Sequence, residues 1–262
     1  MIESTSNAQM KKIQKLKKSA KFRRQEHCFI VEGFKMVEEA LRYKKARIVY
    51  VSEDAMEEWQ ARRIEDGMKS IRCEEVSTSV FRQISDTETP QGVLALVEMP
   101  EYDRDALLEA EHPALICLED VQDPGNLGTI MRTAEGAGMT AVVMTKGCVD
   151  LFNPKVVRST MGAMFRMPFY IVESMTEEIR HLQGQGFTVY SSQLDGSRNF
   201  TECQYQGKVG ILVGNEANGI RPETSACANE KIHIPMEGEV ESLNAAVSAA
   251  LLMYEVHRKR RK

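Results

Sequence analysis

The chain has 262 residues, 42% of them hydrophobic and 27% charged, with a formal net charge of −4. That composition belongs to a soluble globular protein of one large or two ordinary domains, able to bury roughly 70% of the surface its unfolded chain exposes. No apolar run is long enough to span a bilayer and the lysine-rich start lacks an apolar signal core, so neither membrane nor secretion is expected and the protein is placed in the cytoplasm.

Six cysteines, Cys28, Cys73, Cys117, Cys148, Cys203 and Cys227, stand without a Cys-x-x-Cys pair and read as reduced, mostly buried thiols. The five histidines show no zinc spacing beside them, and no metal is expected. Charge is uneven. Residues 1 to 24 carry eight Lys/Arg against Glu3, and residues 258 to 262 are all basic; setting these +7 and +5 ends aside leaves −16 on the rest. Such ends either touch phosphates or are solvated tails. Ile13, Leu16 and Ala20 on one face of residues 7 to 21 favour an ordered, docked helix.

After that helix, Cys28 to Val31 reads as a strand, Gly33 to Tyr43 as a helix and Arg47 to Val51 as a second strand. Asp54 to Met68 is a helix capped by Asp54 and closed near Gly67, and Ile71 to Val76 and Gly92 to Val97 complete an alternating α/β domain. An acidic segment from Met99 to Asp105 marks the boundary, giving domains at 1–105 and 113–262. In the second domain, strands at Ala114 to Leu118, Ala141 to Thr145, Phe169 to Val172, Thr188 to Ser191, Gly210 to Val213 and Lys231 to Pro235 alternate with helical patterns. This is a parallel, doubly wound sheet. A last helix from Ser242 to about Arg260 places Leu243, Val247, Ala250, Leu251 and Tyr254 on one face, a stripe wider than one internal contact requires.

Three polar stretches stand where apolar strands end: Glu119 to Arg132, Gly214 to Gly219, and Ser242-Leu243-Asn244. Ligands of open parallel sheets bind beyond the carboxyl ends of strands, so these stretches can build one site. Each also has a bland reading. Asn126 and Ser242 are plausible helix caps, Pro124 a plausible first helical residue, Glu216 a plausible loop carboxylate, and Arg132 can pair with Glu135 three residues on. Leu127, Ile130, Met131, Ala134 and Ala137 share the apolar face of the helix that begins there, which leaves Arg132 off that stripe. The run Asp123-Pro124-Gly125-Asn126-Leu127-Gly128 imitates a nucleotide loop. No phosphate-loop lysine accompanies it, however, and Lys146 stands where a ribose-binding carboxylate belongs, so nucleotide and ordinary Rossmann readings fail. Lys155, Arg158 and Arg166, around Asn153-Pro154 and the small residues Ser159, Thr160 and Gly162, either face RNA or form a solvated helix face.

Asn126-Leu127-Gly128 with Arg132, then Gly214-Asn215-Glu216, then Ile234-Pro235-Met236 and Ser242-Leu243-Asn244, together resemble the three motifs of the SpoU (TrmH-like) RNA 2′-O-ribose methyltransferases of the SPOUT class. The likeness covers about residues 113 to 257. A weaker one covers 20 to 100, where Phe29-Ile30-Val31-Glu32-Gly33 and Thr89-Pro90-Gln91-Gly92-Val93 resemble the substrate-binding domain often fused ahead of it. The resemblance implies a trefoil-knotted α/β domain, a homodimer, S-adenosylmethionine as cofactor and RNA as substrate. By the same analogy Arg132 contacts the target phosphate or ribose and assists the hydroxyl, Asn126 fixes its loop, Glu216 and Asn244 order the pocket, and Ser242 bonds substrate or cofactor. Gly214, Ile234, Met236 and Leu243 would hold the adenosine part. Ribosomal RNA is favoured over transfer RNA; a base-methylating SPOUT enzyme and a non-catalytic RNA-binding or ribosome-assembly factor are the alternatives.

Overall fold

Asn7 accepts a hydrogen bond from the Gln9 N–H and opens helix α1 (Ala8–Lys18), the first element of a computed structural model that describes residues 1–65, 71–194 and 198–261. The sequence predicts one helix over 7–21, but there are two. Ser19 takes an extended conformation and its hydroxyl accepts from the Phe22 N–H, so it ends α1 and caps α2 (Ala20–Glu26). Met10, Ile13 and Leu16 are buried as a docked helix requires, whereas Ala20 starts the second helix.

The chain continues through β1 (Cys28–Glu32), α3 (Phe34–Arg42), β2 (Ala46–Ser52), α4 (Met56–Glu65), β3 (Arg72–Val76), α5 (Thr78–Ile84) and β4 (Val93–Glu98). Asp54 does not cap α4: a 3₁₀ turn at Glu53–Ala55 precedes that helix, and the Asp54 carboxylate accepts from the Ser52 hydroxyl. The expected end at Gly67 and Met68 lies outside the described residues. The four strands form a sheet in the order β1-β4-β2-β3, with β4 antiparallel to both neighbours and β2 parallel to β3. Here the two N-terminal motifs meet. Gly33, at φ 93°, donates its N–H to Val93 O at 2.9 Å, and the Gln91 Oε1 accepts from Phe34 N–H at 2.9 Å. A Cβ on Gly33 would lie 2.8 Å from that oxygen and push the Gln91 amide aside, but it is the positive φ that calls for glycine.

Onward run α6 (Arg104–Leu108), β5 (Ala114–Leu118), α7 (Pro124–Gly136), β6 (Ala141–Thr145), α8 (Pro154–Ser159), β7 (Phe169–Val172), α9 (Met175–Gly184), β8 (Phe187–Ser192), β9 (Arg198–Asn199), β10 (Lys208–Val213), α10 (Pro222–Ser225), β11 (Glu230–His233) and α11 (Ala245–Arg260). Two units result: residues 1–101 with 150–165, and residues 102–149 with 166–262. Sequence order alone puts 150–165 in the second. Packing puts them in the first, where Asp150 pairs with the buried Arg23 guanidinium and the Phe152 ring lies 4.9 Å from that of Phe29.

The second unit holds a seven-stranded sheet, β7-β6-β5-β10-β8-β11-β9, with every pairing parallel. β5 and β6 are buried along their whole length, as strands covered on both faces must be. α11 corrects the reading of its sequence. It begins at Ala245, capped by Asn244 rather than Ser242, and it buries Ala246, Ala249, Leu252, Met253 and Val256. Of the stripe read as wider than one internal contact requires, Val247, Leu251 and Tyr254 turn outward, at 48%, 41% and 50% exposure. Among the described residues no helix is long and apolar enough to cross a membrane. All six cysteines are free; Cys28, Cys117 and Cys203 are buried and the other three partly so.

Candidate active site

β5 ends at Leu118, and the chain turns through Asp120, at φ 56°, toward α7. Asp123 caps α7 by accepting from the Asn126 N–H, and Pro124 occupies its first turn. Asn126 is therefore not a cap. Its side chain, only 8% exposed, is free to reach two other loops. Its Nδ2 donates to Glu216 Oε1 at 2.9 Å, and its Oδ1 accepts from Asn244 Nδ2 at 2.9 Å. Glu216 accepts twice more, from the backbone N–H groups of Gln122 and Asp123, both at 3.0 Å. Asn244 Oδ1 meanwhile accepts from Ala246 and Val247 N–H at the start of α11. One chain of hydrogen bonds thus ties together the ends of β5, β10 and the loop before α11.

Opposing effects set the Glu216 carboxyl at this junction of loops. Burial pushes its carboxyl up, but the Asn126 amide and the Gln122 and Asp123 N–H groups outweigh that and hold it below its ordinary value. The turn that carries it is closed by paired backbone bonds between Asn215 and Gly219 at 2.9 and 3.0 Å. Asn215 also donates its Nδ2 to Asp120 O at 2.7 Å. A Cβ on Gly214 would lie 2.2 Å from the Gly219 carbonyl carbon, so the turn can fold back only over glycine.

Beside this turn opens a cleft of about 520 Å³, within the roughly 300–1,000 Å³ of small-molecule sites. Gly214, Glu216, Ile234, Met236, Ser242 and Leu243 all line it. Asn126 and Asn244 are outside the lining but bonded to it through Glu216 and each other. Arg132 is exposed on α7, and among the described residues its side chain makes no ion pair or hydrogen bond. Its bland pairing with Glu135 is not made: Glu135 pairs with Arg166, whose Nη2 donates at 3.0 Å. Arg166 is therefore engaged, Lys155 is exposed, and Arg158 is half-buried on α8 in the other unit.

A model of the SpoU rRNA methylase family matches residues 113–254, more than half of the chain and all three loops. The chain belongs to that family. A model of the MRM3-like substrate binding domain matches residues 7–95 as well. The 23S rRNA (guanosine(2553)-2′-O)-methyltransferase RlmP of Bacillus subtilis (strain 168) is 35% identical over 255 residues, 97% of this chain and 98% of its own. Among solved structures, the AdoMet-bound rRNA methyltransferase from Sinorhizobium meliloti superposes with a TM-score of 0.83 at 29% identity, covering 98% and 97% of the two chains. The SpoU methyltransferase AviRb from Streptomyces viridochromogenes, in complex with AdoMet, gives 0.86 at 26% identity over 98% and 99%.

A SpoU-family cleft must hold an uncharged adenine beside a charged amino-acid end, and this one fits. Val213, Ile220, Ile234, Met236 and Leu243 supply apolar wall, and Gly214, buried at the end of β10, brings backbone into the lining. Several SpoU-site residues escaped the sequence reading. Ser192 and Gln193 at the end of β8, and Ser225 on α10, line the same cleft. Glu119, fully buried, accepts from Arg221 N–H and the Thr224 hydroxyl and so fixes α10 behind the turn. The signal available for the first two was position: they too follow a parallel strand's carboxyl end.

Proposed function

We propose that the RNA is ribosomal, and that the residues drawn together here divide the work of methyl transfer in a definite way. The reaction is transfer of the methyl group of S-adenosylmethionine to a ribose 2′-hydroxyl of RNA. That donor supplies a methyl already activated by its sulfonium. The protein's share is alignment and relief of charge as the hydroxyl proton departs. Gly214, Ile234, Met236 and Leu243 hold the adenosine part, and Ser242 bonds cofactor or substrate at the rim. Asn126, Glu216 and Asn244 keep the three loops in register. Arg132, whose guanidinium makes no internal side-chain contact, meets the target phosphate or ribose and stabilises the developing oxyanion.

The observation that carries this reading is the hydrogen-bond chain Asn244–Asn126–Glu216, which joins all three loops around one cleft of suitable size. Ribosomal RNA is favoured by the full-length likeness to a 23S rRNA enzyme. The first unit presents the RNA, in keeping with the substrate-binding model that matches it. The protein acts in the cytoplasm as a homodimer, with its C-terminal segment threaded through an earlier loop as a trefoil knot. Incubation with labelled S-adenosylmethionine and unmodified ribosomal or transfer RNA tests the whole. Label in a 2′-O-methylnucleoside from ribosomal RNA is expected; label in a base, or in transfer RNA alone, overturns it.

A further inference from the structure

Gln193 stands in the cleft wall without a part in any of the three loops. Its backbone N–H donates to Ile232 O at 3.0 Å, which pins it beside the strand leading to Ile234. One end of its amide is committed: Ser191 Oγ donates to Ser225 Oγ at 3.4 Å, and Ser225 Oγ donates to Gln193 Oε1 at 2.6 Å. Both serines are buried, so this relay sets which way the amide faces. The other end, Nε2, is buried and finds no acceptor among the described residues. Native structures keep few such donors, and each calls for an explanation.

We propose that Gln193 recognises the adenosyl half of S-adenosylmethionine, with Nε2 donating to an acceptor on that half. This rests on the reading of the cleft as the S-adenosylmethionine site. β8 lies between β10 and β11, so Gln193 sits between the loop of Gly214 and that of Ile234, which are the adenosine-holding segments. Val213, Ile220 and Ile234 line the cleft with it, a wall suited to a flat uncharged ring whose edge carries acceptors. A carboxylate would want cations or several converging donors; Lys231 also lines the cleft, so the ligand that lacks the amino-acid end is what separates the two contacts. The last torsion of a glutamine is broad, so a small turn presents Nε2 to the cleft while Oε1 stays near Ser225.

Calorimetry on the full-length protein tests this with two ligands, S-adenosylhomocysteine and 5′-methylthioadenosine, the second lacking the amino-acid end. Gln193→Glu keeps an acceptor for Ser225 and loses the donor; Gln193→Met loses both at similar volume; Ser225→Ala frees Oε1 and keeps the donor. Gln193→Glu and Gln193→Met should weaken both ligands about tenfold, the scale of one hydrogen bond, and Ser225→Ala should cost less than either. Unchanged affinity in Gln193→Glu overturns the proposal. So does a loss confined to S-adenosylhomocysteine, which moves the contact to the amino-acid end, or a larger loss in Ser225→Ala, which makes the amide a structural prop. Failure of the parent protein to bind either ligand would instead sink the reading of the cleft itself.

Discussion

The roles proposed for Arg132 and Glu216 rest on opposite features, one on a lack of internal side-chain partners and the other on an excess of them. Because Glu135 is taken by Arg166, Arg132→Ala should shift stability by only a few tenths of a kcal/mol, the scale of a surface helix pair. Turnover should fall roughly 10²-fold or more if the guanidinium stabilises the oxyanion, with S-adenosylmethionine affinity nearly unchanged. Arg132→Lys should stay impaired, since an ammonium lacks the planar fork. Single-turnover methylation at the parent rate by folded Arg132→Ala would remove the residue from the mechanism. Glu216 is proposed to act by holding the loops in register. Its folded carboxyl titrates below the ordinary 4.5, so its contribution is whole above about pH 4.5 and drains away as pH falls through the lowered value. S-adenosylhomocysteine affinity should therefore hold level from neutral pH down to that point and decline beneath it. Gln at 216 should bind weakly throughout and lose this acid limb; parallel pH profiles for the two proteins would show that the carboxylate does not govern the cleft.

At the scale of elements, α1 and α2 form a groove of about 700 Å³ lined by Lys11, Lys12, Lys15, Lys18 and Phe22. The groove exists because Ser19 breaks the helix, and that break was not legible: a serine within a helical pattern can cap, or can sit inside a helix with its hydroxyl turned back. The eight basic residues of the N-terminus are also not alike. Arg23 is buried on Asp150, Lys17 pairs with Asp86 and Lys12 with Glu26, which leaves Lys11, Lys18, Lys21 and Arg24 facing solvent and Lys15 over the Phe22 ring. Removing residues 1 to 24 would strip Met10, Ile13, Leu16 and Arg23 from the core, so the informative change is Lys11→Glu with Lys18→Glu. RNA binding should weaken and log K should flatten against log salt by about one unit of slope per lost phosphate contact, with S-adenosylmethionine affinity unaffected. An unchanged salt slope would make the groove a solvated surface. Strands β5, β6 and β10 were legible for the converse reason. Burial on both faces writes an uninterrupted apolar run, and the polar residues that follow mark the site. Membership of residues 150–165 was not, because it is decided by Phe152, Phe165 and Asp150 meeting Phe29 and Arg23 far away in sequence.

For the molecule as a whole, the basic ends have different fates. Arg260 is spent internally: its guanidinium donates to His112 O at 2.6 Å and Gly207 O at 2.7 Å, and Arg258 is bonded to Glu255. Arg260 therefore ties the end of α11 to the segments that lead into β5 and β10, and less C-terminal charge is left for phosphate than the sequence suggested. That anchoring leaves the outer face of α11 fixed and bare, with Val247, Leu251 and Tyr254 each close to half exposed. Their spacing of four and three residues stacks them in one stripe. The stripe was visible in sequence, but its direction was not, because α11 is apolar on both sides and small residues such as Ala246 and Ala249 turn out to take the inner one. In the proposed homodimer a second copy of the chain would cover this stripe. The protein should therefore scatter light as twice its 29.6 kDa at micromolar concentration. Leu251→Arg would put a charge into a self-complementary contact built from the same patch on both copies. It should yield a folded monomer whose thermal midpoint now fails to rise with protein concentration. A parent protein of monomer mass, or a Leu251→Arg protein still dimeric, would leave the stripe as exposed surface and nothing more.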